Sequence, residues 1–133
     1  MKTTTEQLSS VSFHDAMVQH IEERPGYICL DIDSAFIGPQ HPDAEGKEWT
    51  AHDCRFECFD VLRSEKEEWD DSQSAKPHSE PDRPIEELLD EEVVDGCLVL
   101  SGFTRKNNWG VWRIKAREFV LTWRERHEFK KNG

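Results

Sequence analysis

The segment 27–37 constrains the fold more than any other stretch of the chain. Ile28, Leu30, Ile32 and Phe36 fall at even positions while Asp31 and Asp33 fall at odd ones. A helix with 3.6 residues per turn would scatter that pattern around its circumference, whereas a strand puts one set on each face. The segment therefore predicts a strand with one packed side and one wet side. Pro25-Gly26 just before it is a turn signal, and this makes Ala16–Glu23 the first arm of a hairpin.

Three further runs share the period of two. In 53–62, Cys54, Phe56 and Cys58 alternate with Arg55 and Glu57 before the phase shifts to Phe59 and Val61, which predicts a bulge near Cys58. Residues 97–103 are apolar on both faces, as a central strand would be. In 111–123, Trp112, Ile114 and Ala116 give way to Phe119, Leu121 and Trp123, predicting a second bulge near Glu118. The remainder, Arg124–Gly133, is polar and is expected to fray.

Between these runs lies an acidic stretch, 64–92, with 3 basic and 12 acidic side chains and three of the six prolines. It reads as an exposed acidic loop or insert whose end, 84–92, forms one short helix: Pro84 begins it, acids fill its first turn, and Ile85, Leu88 and Leu89 form a stripe. Hairpin-linked strands with one late helix imply a mainly β (α+β) domain. Its expected form is a curved antiparallel sheet, a small sandwich or half-barrel, over residues 1–133 as a single domain.

Charge narrows the function. With 17 basic and 28 acidic residues, the 133-residue chain carries −11, which argues against nucleic acid as a partner. It contains no apolar run of about 18 residues and opens on no charged-plus-apolar leader, so the expectation is a cytoplasmic protein without a membrane span. In that compartment the four cysteines should be reduced. His52, Cys54 and Cys58 would share a strand face, but the spacing is not a zinc knuckle and Phe56 shares that face. No metal, cofactor or catalytic residue is predicted.

Other candidates have plainer readings. His14-Asp15 would point to opposite faces of an extended segment and is expected to organise the entrance to the first strand. Asp31 and Asp33 read as a solvated strand face. The stripe Arg113, Lys115 and Arg117 reads as a counterpart for the chain's own acids. Trp49, Trp69 and Trp109 stand in polar or turn contexts, and Trp69 lies between Glu67-Glu68 and Asp70-Asp71. These five, Glu67, Glu68, Trp69, Asp70 and Asp71, are the predicted partner-binding residues, combining steering charge with an aromatic anchor.

Ser12-Phe13-His14-Asp15-Ala16, followed by Val18, Ile21, the Pro-Gly turn and Ile28-Cys29-Leu30-Asp31-Ile32, resembles small bacterial β-rich domains that open with a His-Asp-(Ala or Ser) signature. Among them is the immunity protein 50-like family of polymorphic toxin systems. The resemblance continues through Asp95-Gly96-Cys97-Leu98-Val99-Leu100 and the Trp-rich last strand. It implies a non-catalytic protein that neutralises a cognate toxin by covering its surface, and the chain's acidity suits a basic toxin. The alternatives are a small-ligand-binding or enzymatic β-barrel, which needs an apolar cavity with convergent polar groups, and a structural homodimer or other homo-oligomer subunit, which needs a large symmetric interface.

Overall fold

The computed structural model describes residues 2–3, 5–70 and 75–129. It is mainly β: β1 (Lys2–Thr3), a 3₁₀ turn (Thr5–Ser10), β2 (Val11–Ser12), β3 (Ala16–Arg24), β4 (Tyr27–Ile37), β5 (Trp49–Trp69), β6 (Ala75–Pro77), β7 (Glu87–Val94), β8 (Cys97–Phe103) and β9 (Trp109–Glu128). Every pairing is antiparallel.

The expected half-barrel closes on itself. Neighbour pairings run β3–β4–β5–β9–β8–β7 and return to β3, so six strands form a ring. β5 and β9 outrun their neighbours, and β6 and β1 pair with the portions left over. The return pairing, β7 to β3, is the weak joint. Only Ala16↔Leu88 and Met17↔Glu87 are in register there, helped by a bond from the Val18 amide to the Glu86 carbonyl at 2.8 Å.

The hairpins follow local chemistry. Pro25-Gly26 joins Arg24 to Tyr27, and Asp95-Gly96 joins Val94 to Cys97 with φ of 53° and 76°. Two successive positive φ values match the right-handed twist of the flanking strands, and Asp and Gly tolerate them.

Sidedness reverses within the long strands. Cys54, Phe56 and Cys58 point inward with Ile28, Leu30 and Ile32. On either side of Asp53 (φ 52°) and Asp60 (φ 54°) the buried phase changes, to Ala51 on one side and to the partly buried Val61 on the other. A left-handed residue inverts the alternation, and Asp accepts that conformation better than most. The predicted bulges near Cys58 and Glu118 are therefore misplaced. Register is continuous through both, and the slip falls between Val61 and Arg63. In the partner strand the phase changes opposite Asp60, so both strands turn together.

The ring is filled by Phe13, Phe56, Phe119, Trp112, Leu100 and Ile114, among others. Phe13 meets Phe56 edge-on at 5.3 Å, and Phe56 stacks on Phe119 at 6.0 Å. The interior indole of Trp112 donates to Ser64 Oγ at 2.8 Å, which satisfies its polar edge.

The acidic stretch 64–92 is partly strand rather than one loop insert, only 78–86 among its described residues running as a longer irregular segment, and its end is not a helix. Residues 64–69 continue β5, 75–77 form β6 and 87–94 form β7. The apolar stripe expected of a helix is split: Ile85 caps one end of the barrel, while Leu88 faces inward from β7. Acids on the exposed positions of a strand resemble those of a helix's first turn when only composition is read. Similarly, Arg124–Glu128, expected to fray, belongs to β9 and pairs with β5. Residues 130–133 lie outside the described part.

Candidate functional site

At the capped end of the barrel, Trp69, Trp109 and Phe103 sit side by side on β5, β9 and β8. Trp69↔Trp109 and Phe103↔Trp109 are direct cross-strand partners, so all three project from the same face. That face is the outer one, because their chain neighbours Glu68, Gly110 and Gly102 are buried. Phe103 meets Trp109 edge-on at 5.8 Å. The three rings are 37%, 37% and 38% exposed, and the partly exposed Glu87 continues the row as the partner of Phe103.

Below them is a polar clamp. Glu68, only 8% exposed, accepts from the Ser79 amide at 3.2 Å, the Ser79 hydroxyl at 2.6 Å and the Asn108 side-chain amide at 3.0 Å. These donors hold its carboxyl down to about 2. His78 accepts the Glu80 amide on Nδ1 and meets the Pro84 carbonyl with Nε2 at 2.8 Å. A carbonyl only accepts, so the imidazole carries its proton on Nε2. Lys66 Nζ bonds Glu23 at 2.6 Å and the Pro81 carbonyl at 2.7 Å, and lies 5.2 Å from the centre of the Trp112 ring. Segment 78–86 is thereby pinned across the barrel's end.

The predicted partner-binding group is divided by this arrangement. Trp69 is an exposed ring. Glu67 is engaged by Arg113 and Asp70 by Lys76, while Glu68 is a buried structural acceptor and cannot steer a partner. Asp71 lies outside the described residues. The turn context of Trp109 marks it in the sequence as a ring out of core phase, but neither it nor Phe103 is among the five predicted residues. Trp49 is held inward instead: its indole donates to the Ala44 carbonyl at 2.8 Å and the Arg126 guanidinium covers its ring at 3.9 Å.

The remaining candidates resolve into local bonds. Asp31 pairs with Arg55 at 3.0 Å, and Asp33 accepts the Met17 amide at 2.8 Å. The expectation that His14 and Asp15 point apart fails because Asp15 has φ 65°, which brings its carboxylate to 3.5 Å from Nε2. His14 Nδ1 reaches the Leu89 carbonyl at 2.8 Å, and that bond, with Asp15, raises its pKa. The pair tethers the entrance of β3 to β7. His52 leaves the face of Cys54 and Cys58 because of the inversion at Asp53, and its Nε2 lies 2.7 Å from that of His127. All four cysteines are free thiols, and burial pushes Cys54 up to about 12. No group of three or more His, Cys, Asp or Glu side chains is placed to hold a metal among the described residues, and no helix there is long and apolar enough to cross a membrane.

The weak joint opens a second feature. Where β3 and β7 cease to pair, the 3₁₀ turn and β2 lie in the gap and leave a cleft of about 360 Å³. Leu8, Val11, Phe13, Phe56 and Leu98 form its apolar walls, and Glu91 faces it opposite Leu100. Burial raises the Glu91 carboxyl to about 7, against donation from the Phe13 amide and the Ser12 side chain. No protein-family model, no curated protein and no solved structure matches the chain.

Proposed function

We propose that the chain is a non-catalytic protein-binding module, an immunity-type inhibitor that covers a basic partner with the outer face bearing Trp69, Trp109 and Phe103. The observation that carries this reading is the row itself. Three large rings on adjacent strands stay over a third exposed although the same barrel buries Trp112 and Phe119 completely or nearly so. Exposed aromatic rings on a rigid wall lose little conformational freedom on binding and often supply most of an interface's energy. The net charge of −11 supplies long-range attraction for a cationic partner. Steering is a property of the whole surface, since Glu67, Glu68 and Asp70 are already engaged within the fold.

The test is affinity capture from the native host, with wild type beside a Trp69→Ala/Trp109→Ala double variant. A basic protein retained by the first and lost by the second is expected. Each single Trp→Ala should then speed dissociation about 30-fold, corresponding to about 2 kcal/mol, while added salt should slow association in both. A captured partner whose dissociation ignores both substitutions would move the interface elsewhere. Concentration-dependent dimerisation that both substitutions abolish would instead assign the row to self-association.

A further inference from the structure

The cleft in the β3–β7 joint combines features that the aromatic row does not explain. Glu91, Glu92 and Ser9 line the cleft together with walls of Leu8, Val11, Phe13, Phe56 and Leu98; Glu91 takes the inward phase as the cross-strand partner of the buried Leu100, while Glu92 is exposed. Within the fold, the Glu91 carboxyl is met by neutral donors, the Phe13 amide and the Ser12 side chain, and is influenced through space by His14 and Asp90. Among the residues whose side chains are described, no Lys or Arg forms an ion pair with it. An apolar cleft of a few hundred Å³ with a few polar groups is the usual form of a small-molecule site. A carboxylate in such surroundings is best compensated by a cation delivered together with apolar surface.

We propose that this cleft binds a small molecule with an apolar body and one ammonium group, the body against Phe13, Phe56 and Leu98 and the ammonium on the Glu91 carboxylate. The mouth beside Val93, which is 52% exposed, admits the ligand from solvent. This site is independent of the aromatic row. Either can exist without the other.

The ligand chemistry is tested with 2-phenylethylamine and its neutral isostere 2-phenylethanol, by calorimetry at pH 8 and by amide chemical shifts. The amine should bind at least about tenfold more tightly than the alcohol, as a charge-assisted bond in a partly dry site would give. Its shifts should centre on Leu8, Val11, Phe13 and Leu98. Glu91→Gln should bring the two compounds to equal affinity, and Val93→Arg, at an exposed position, should weaken the amine alone by adding a cation at the mouth. Wild type gives an arm that needs no variant. The amine stays charged below pH 8, while the Glu91 carboxyl takes up its proton near 7. Amine affinity should therefore fall toward tenfold per pH unit below 7, with alcohol affinity unchanged. Equal affinities in wild type, an amine affinity flat from pH 8 to 6, shifts centred away from the cleft, or no saturable binding of the amine would each overturn the proposal.

Discussion

Gly102→Ala should cost about 4 kcal/mol of folding stability, the largest loss expected from adding a single methyl group to this chain. A Cβ at Gly102 would lie 1.9 Å from the Glu87 carbonyl oxygen and 3.1 Å from Ile85 Cγ2. Neither neighbour is the free end of a flexible side chain. Glu87 and Leu88 also carry the only registered pairs between β7 and β3, so pushing that backbone aside strains the joint that closes the barrel. Urea unfolding should show a lower midpoint at an unchanged slope. Gly26→Ala is the control. Nothing lies within 4 Å of a Cβ there, and only its φ of 77° opposes the change, at about 1 kcal/mol. A Gly102 variant no less stable than the Gly26 variant would mean that segment 84–87 does not press on β8 as described.

The strands were legible because their period survives without tertiary context. Ile28, Leu30 and Ile32 face inward as their alternation requires, and Pro25-Gly26 and Asp95-Gly96 make the turns that their chemistry favours. Closure of the sheet was not legible. It depends on β5 running on to Trp69 and β9 to Glu128, and both extensions are built from charged residues whose inward or outward sense has no hydropathy signal. Reversals at Asp53 and Asp60 hid the sides further, since an aspartate in a left-handed conformation looks in the sequence like any exposed acid.

The site was read in part, for a related reason. Trp69 was identifiable as a ring among acids, but its partners Trp109 and Phe103 come from β9 and β8, and only the register of the closed barrel places them together. Glu91 was lost in the run Asp90-Glu91-Glu92. On a strand alternate members of such a run face opposite ways, so Glu91 takes the inward phase while Asp90 and Glu92 stay exposed.

Glu68→Ala is expected to cost about 3 kcal/mol, because it leaves the Ser79 amide and hydroxyl and the Asn108 amide without their shared acceptor at a buried position. The loss should also have a pH signature. Those donors depress the carboxyl from an ordinary 4.5 to about 2, so the folded state binds the Glu68 proton less tightly than the unfolded state does. Its contribution is then complete above 4.5 and disappears as the pH falls toward 2. Glu91 has the opposite sign. Its carboxyl is raised to about 7, so it lowers stability as the pH rises from 4.5 to 7, and Glu91→Gln should remove that slope. Chemical unfolding of wild type and both variants at a series of pH values separates the two windows. In Glu68→Ala the acid-side slope between 4.5 and 2 should flatten while the neutral-side slope persists. An acid-side slope identical to wild type would show that Glu68 is not the charged acceptor holding segment 78–86 across the end of the barrel.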